Sequence, residues 1–506
     1  MAITRRHCIK SLGLMALGST SSLSLLARQT IEYPWQALLG VSLCGEYDYL
    51  AEVEGDIPDR LAGTLYRNGP GLFERGGYRK QHILDGDGMI QAIDLMDGKA
   101  RYRNHFVRTP KYLREQAAGR FLFPTWTTLA PGLWENIPGS PPLSQAGITT
   151  YLMDGVLTAH DEVNQPFALD PLSLKDLGEH RISPTTAPTN LKAHAKRSGA
   201  TGNWTFIGWN HGPAPSAEVI VRSPKGQVID HRKVSMPRDC YIHDFFATDQ
   251  FTIICLHAIE FSPLPMLAGL YSFTDCLKWN PALGNQVVVI PRDPAMPVRH
   301  FRAPARFMWH SFNAWEKGSE LIADFIAYDS PDHFIGKDPQ MRAIMQGRLT
   351  QTFNSGIAYR YIINMQQLTL SEEPITDGNL EFPIIHPELG GLRSQFGYAT
   401  FGSPGNFFHS GVTRINLSTG VQDQYDFGQQ VHVGEAIFVP EGMAENRGFL
   451  LSMALNGQTG KSFLAILDAA HVSAGPMALI HLRHHSPLSF HGTWSGKGYA
   501  EPFNIS

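Results

Sequence analysis

The sequence predicts an all-β protein: one large closed domain built from many short strands. Three observations carry that expectation. Glycine and proline are frequent, 48 and 34 of 506 residues, and they interrupt the chain as turn-forming residues do. Between them lie short apolar runs, roughly four to eight residues each, rich in β-branched and aromatic side chains. Sustained 3.6-residue periodicity is almost absent.

The first residues read separately. In "MAITRRHCIKSLGLMALGSTSSLSLLARQ", Arg5, Arg6 and Lys10 precede an uncharged run from Ser11 to Ala27. "TRRHCIK" resembles the twin-arginine export motif, with Cys8 and Ile9 where Phe and Leu are usual. Residues 1–27 are therefore expected to be a signal peptide, and the protein to be exported to the periplasm, with or without membrane association. The competing reading is a short N-terminal anchor, or a chance match that leaves the protein in the cytoplasm. After residue 27 no stretch approaches ~18 uninterrupted apolar residues, the length of a membrane span.

Residues 28–506 read as one domain without a linker. "GVLTAHDE", "WTFIGWN", "AEVIVRS", "FTIICLHAIEF", "QVVVIPR", "ELIADFIAY", "FGYATFG", "GVTRINL", "GFLLSMAL" and "SFLAILDA" follow one another as strand candidates. Only "RTPKYLREQAAG" and "DPQMRAIMQGRLT" read as helices. A β-propeller takes more than about twenty strands without long exposed edges. No repeat of fixed length shows, so periodicity gives no blade count.

Composition excludes several function classes. A formal charge of −4 leaves no basic footprint for nucleic acid. The five cysteines (8, 44, 240, 255 and 276) form no C-x-x-C pair, against a disulfide framework or a zinc–thiolate site.

The histidines are more informative. "CYIHDFFAT" (240–248) sets His243 and Asp244 inside an apolar, aromatic run. Alone, such a pair reads as a hydrogen-bonded core histidine beside a bend-capping aspartate. Three more histidines share the setting: His194 in "NLKAHAK", His310 in "FMWHSFNAWE" and His491 in "LSFHGTW". In a propeller the innermost strands converge on one axis, so residues this far apart can meet there. Neutral imidazole is the commonest metal ligand and suits iron, copper and zinc. A metal-bound imidazole normally donates its other N–H to a carboxylate or carbonyl. Glu162, Glu381 and Glu435 lie in strand-like contexts where a charge is out of place, although each alone reads equally as a turn or rim residue.

"GTLYRNGPG" (63–71) and "HILDGDGM" (82–89), followed in order by "AHAK", "IHDFFAT", "WHSFNAWE", "LEFP", "GEAIFVP" and "FHGTW", resemble the carotenoid cleavage oxygenases over about residues 45–495. The resemblance implies a seven-bladed β-propeller with a few capping helices and loops, and one non-haem Fe(II) on its axis. The implied ligands are His194, His243, His310 and His491, with Glu162, Glu381 and Glu435 behind them. Asp244 would fix the turn at His243, Arg67 and Asn68 would tie blades together, Gly86 and Gly88 would allow a tight turn, and His82 would be scaffold.

The pattern departs from the family in places. Ala195 and Ala436 stand where proline is usual. Asp161 stands where stilbene-cleaving relatives carry a phenol-holding lysine and many carotenoid-cleaving relatives a tryptophan. A carboxylate facing a polyene there would be unfavourable unless paired or turned to water. The phrases are closest to the apocarotenoid-15,15′-oxygenase branch. The expected activity is therefore oxidative cleavage by O2 of a conjugated double bond in an apocarotenoid or carotenoid, giving aldehydes, with 15,15′ cleavage to retinal as the specific expectation. The alternatives are a stilbene- or phenylpropanoid-cleaving dioxygenase, or a non-catalytic ligand-binding propeller. Tyr241 and Trp309 are candidate walls of an apolar substrate tunnel, or plain core. "RFLFPTWTTLAPGLW" (120–134) and "FSPLPMLAGLY" (261–271) are candidates for a tunnel mouth touching a membrane, or for packing between blades.

Overall fold

The computed structural model describes residues 34–184 and 190–496; the expected signal peptide at 1–27 lies outside them. Seven sheets of four or five antiparallel strands succeed one another along the chain, with two small two-stranded sheets added. The seven large sheets are the blades of a β-propeller.

Ring closure is done by the chain ends. The C-terminal strand His491–Gly496 pairs with Gly63–Leu72 and places Asn68 opposite His491. In the neighbouring blade Glu52–Gly55 pairs with Pro476–His481. Two blades are thus each built from both ends of the sequence. Their interface is apolar: Leu65, Ile93 and Tyr102 pack with Leu451, Leu464 and Ile480, all buried. Burying each such aliphatic side chain contributes about 1.5–3 kcal/mol, which makes closure a strong constraint on the fold.

The innermost strands are Thr149–Met153, Asn190–Arg197, Phe246–Ala247, Ser311–Lys317, Leu380–Ile384, Val431–Pro440 and His491–Gly496. Arg67 and Asn68 do tie blades together. The Arg67 guanidinium donates to Glu435 and to the Ser489 and Phe490 carbonyls, and Asn68 Nδ2 to the Ala146 and Thr149 carbonyls.

Both helix expectations hold. Pro110–Ala118 is an α-helix with Thr109 capping the Tyr112 N–H and Gly119 left-handed at its end. Gln340–Ala343 forms one α turn continued by a 3-10 turn to Gln346. The glycine expectation needs correction. Gly86 has an extended φ of −71°, and Gly88 lies within the strand Asp87–Met96 rather than in a turn. What they allow is close approach: a Cβ on Gly88 would sit 2.3 Å from the Ala146 carbonyl oxygen, and one on Gly86 2.7 Å from Pro70 Cβ.

Candidate metal centre

The residues that reach the axis do so where strand regularity breaks. His194 lies in Asn190–Arg197, whose pairing slips between Leu191 and Ala195. Glu435 sits inside a slip between Val433 and Ala436, and Glu381 opens one that ends at Ile384. His310 immediately precedes a slip between Ser311 and Asn313. A bulge adds a residue to one strand and re-aims its side chains. In the blade that carries Glu381, Phe382 takes φ 53°, a left-handed conformation that a bulky residue adopts only under constraint.

The result is a buried cluster. One ring nitrogen from each of His194, His243, His310 and His491 lies within 4.8 Å of all the others. His194 Nε2 is 3.1 Å from His243 Nε2, which is 3.3 Å from His310 Nε2. Behind them, His243 Nδ1 donates to Glu162 (2.7 Å), His310 Nδ1 to Glu381 (2.5 Å) and His491 Nδ1 to Glu435 (2.8 Å). A carboxylate only accepts, so these Nδ1 atoms carry the protons and the Nε2 lone pairs face inward. Lone pairs about 3 Å apart repel one another, and a cation between them removes the conflict. Two imidazole nitrogens bound ~2.0–2.1 Å from one ion take similar spacings. The residues fit a divalent metal with all-nitrogen ligands.

Electrostatics favours the neutral form at three of the four histidines. Burial drives His194 well below the ordinary histidine range and His491 down to about 4. Burial also lowers His243, although Glu162 opposes it. His310 goes the other way: burial pulls it down, but Glu381 and Asp244 outweigh that pull and raise it. Burial would raise Glu162 and Glu435, yet Lys192 and His243 hold the first below the carboxylate range, and His491 and Arg67 the second.

Tyr241 and Trp309 are both buried beside this cluster. The Trp309 ring meets His243 edge-on at 4.8 Å between centroids, and Phe334 packs on Trp309 at 4.8 Å and on Tyr241 at 5.7 Å. Phe273 and Trp126 extend the aromatic wall from Tyr241. The Tyr241 hydroxyl lies 3.4 Å from His243 Nδ1, while its ring packs against Phe273 and Phe334 in the wall. Phe382 stacks on His310 at 5.3 Å.

Sequence reasoning missed several contributors. Asp244 does more than fix a turn: it accepts from the Phe245 N–H, from the Ser311 N–H and hydroxyl, and from Lys196. It thereby joins the three blades carrying His194, His243 and His310. Lys192 lies 3.3 Å from Glu162, fully within the core. Phe382 was visible only as part of "LEFP", where nothing signals a left-handed residue before proline. Asp161 does not face a polyene. Its carboxylate accepts the backbone N–H groups of Gln145, Ala146 and Val163 at 2.8–3.1 Å. His82 is scaffold as expected, its Nδ1 capping the Leu84 N–H.

The chain matches the family described as retinal pigment epithelial membrane protein over residues 42–496. It is 30% identical over 466 residues to the apocarotenoid-15,15′-oxygenase of Synechocystis, covering 89% of this chain and 94% of that one. It is 26% identical over 479 residues to the carotenoid 9,10(9′,10′)-cleavage dioxygenase 1 of Arabidopsis thaliana, covering 87% and 85%. The crystal structure of the cobalt-substituted Synechocystis apocarotenoid oxygenase superposes with a TM-score of 0.86 at 28% identity, covering 92% of this chain and 99% of that one. A propeller closed through both chain ends, four converging histidines and a match over nearly the whole length give one conclusion: the chain belongs to the retinal pigment epithelial membrane protein family, that of the carotenoid cleavage oxygenases.

Proposed function

We propose that the four histidines hold one Fe(II) per chain and that the protein cleaves a linear apocarotenoid at its central 15,15′ double bond, yielding retinal and a second aldehyde. The observation that carries this reading is the cluster itself: four inward imidazoles, three of them backed by carboxylates, beside an aromatic wall. The similarity to a 15,15′-oxygenase supports the choice of bond.

When bound, the metal supplies the activation of dioxygen. The chain's residues do the rest. Glu162, Glu381 and Glu435 hold three imidazoles in one tautomer with Nε2 inward. Trp309, Phe334, Phe273 and Trp126 offer apolar faces to a polyene and exclude water, so position is set by shape. No protein nucleophile or general base is required: the C=C bond and the O–O bond break, two C=O bonds form, and the atoms of substrate plus O2 are conserved in two carbonyl fragments.

The apolar segments at 120–134 and 261–271 line one shallow surface cleft, Pro124, Thr125 and Leu129 from the first and Met266, Gly269 and Tyr271 from the second. Trp134 (79% exposed) and Leu264 (77%) stand outward, with Leu133, Leu267, Leu270 and Tyr271 also exposed. This patch would rest on the bilayer in which a polyene dissolves. No helix among the described residues is long and apolar enough to cross a membrane. Co-sedimentation with phosphatidylcholine vesicles tests the contact, which Trp134→Ser with Leu264→Ser should abolish; unchanged sedimentation would refute it. Export through the twin-arginine route remains part of the proposal.

The function is tested by offering an apocarotenal and a 4-hydroxystilbene side by side under air. Loss of long-wavelength polyene absorbance with retinal among the products is expected. Turnover of the stilbene alone would replace this reading with phenylpropanoid cleavage. The fixed orientation of Asp161 towards backbone amides argues against its serving as a phenol anchor.

A further inference from the structure

The three carboxylates behind the histidines are not electrically equivalent. Glu435 pairs with the fully buried Arg67, Nη1 to Oε2 2.9 Å. Glu162 pairs with Lys192, Nζ to Oε2 3.3 Å, while its Oε1 accepts the His243 Nδ1–H. Among the described residues Glu381 has no lysine or arginine partner. His310 therefore faces a carboxylate that has no cationic partner, although it also accepts the Phe382 N–H; His243 and His491 face compensated ones, and among the described residues His194 faces none.

Lys192 is held for this task. It stands on the strand that carries His194, two residues before it, next to the bulge between Leu191 and Ala195. Its side chain is 4% exposed and Glu162's 1%. The ammonium also lies 5.1 Å from the centroid of the Tyr241 ring, a cation–π distance. A buried lysine is retained only if paired, and its one carboxylate here is the one that orients a candidate ligand.

We propose that Lys192 is a positioning residue for the metal: by sharing Glu162 it limits the negative charge that carboxylate presents to His243, and so weakens His243 as a donor. A carboxylate hydrogen-bonded to an imidazole raises its basicity towards the metal, and a cation on the same carboxylate takes part of that gain back. Lys192 and Arg67 thus leave His310 the ligand most strongly backed by charge. The inference rests on the metal reading above but not on the substrate.

The test titrates metal-free protein with Co(II), followed by its visible absorption and by competition with a chelator. Lys192→Met keeps the side-chain length and removes the charge. It should bind Co(II) more tightly, by roughly tenfold, the low end of what altering the partner of a metal-bound histidine does, and should shift the Co(II) visible bands. Glu162→Gln should bind more weakly, and Lys192→Met in that background should add no gain. A merely structural lysine would give the opposite sign, since its loss loosens the site. Weaker or unchanged binding by folded Lys192→Met therefore overturns the inference. Lys192→Gln carries the same expectation should the methionine variant not fold; failure of both to fold would show a structural cation and also overturn it. If wild-type protein binds no Co(II) at one equivalent, the metal reading itself fails, a result distinct from a wrong sign in the variant.

Discussion

Replacing Asp244 by asparagine should damage both stability and metal binding, because this carboxylate joins three blades at the site. Its Oδ1 accepts the Phe245 N–H at 2.8 Å, and its Oδ2 accepts the Ser311 N–H, the Ser311 hydroxyl and the Lys196 ammonium, each at 2.8 Å. An amide nitrogen at either position confronts a donor, so at least one buried N–H loses its acceptor, a cost of about 1–3 kcal/mol. The pair with Lys196 is lost as well. Breaking a buried pair costs about 3–5 kcal/mol, and Lys196 is partly exposed, its side chain 23% accessible, which favours the lower end. Together these give a loss of at least about 4 kcal/mol, which we expect for Asp244→Asn in urea unfolding followed by tryptophan fluorescence. Ser311→Ala, which removes one of the four bonds, should lose about 1 kcal/mol. His243 and His310 directly precede Asp244 and Ser311, so Co(II) affinity should fall with stability in Asp244→Asn. A variant within about 0.5 kcal/mol of wild type, with unchanged Co(II) affinity, would refute the argument.

Substituting Glu162, Glu381 or Glu435 by glutamine should each weaken metal binding by about 10–100-fold without unfolding the propeller, read by chelator competition. His105 bridges Asp176 and Glu46; burial opposes its protonation, but the hydrogen bonds to Asp176 and Glu46 outweigh it and raise the imidazole to about 9. Its stabilising charge is fully present below the unfolded value of about 6.5 and is lost as pH rises through about 9. Urea unfolding across that window should show a decline in wild type that His105→Gln lacks; equal slopes would contradict the assignment. Arg5→Lys with Arg6→Lys should trap the protein in the cytoplasm on fractionation, and unchanged distribution would favour an anchor or a chance match.

The sequence made the ring of histidines legible because each stands in a short apolar phrase and the phrases fall in order. It could not show how the side chains reach the axis. That depends on bulges at Leu191–Ala195, Glu381–Ile384 and Val433–Ala436, and a bulge erases the two-residue alternation from which strand faces are read. Lys192 was hidden for the same reason: in "NLKAHAK" it reads as the polar half of an alternating strand, yet it is buried against Glu162. Gly88 was misread because glycine in "DGDGM" signals a turn, whereas here it admits the Ala146 carbonyl of the next blade. Asp161 raised a conflict that three backbone N–H groups resolve. Two of the three N–H groups belong to the stretch 15 and 16 residues upstream, whose placement against Asp161 depends on the fold and carries no local signal. The blade count came from resemblance alone, since blades of four and five strands joined by unequal loops leave no repeat.

The central claim is that the four histidines hold the iron that cleaves the polyene, and His243→Ala tests it most directly. Iron content by plasma emission and product masses from an apocarotenal under air should be compared with wild type. The account predicts about one iron per chain and two aldehydes summing to substrate plus O2 for wild type, against little iron and intact substrate for the variant, with its blades still folded by circular dichroism. Full iron occupancy and undiminished aldehyde formation in His243→Ala would contradict it.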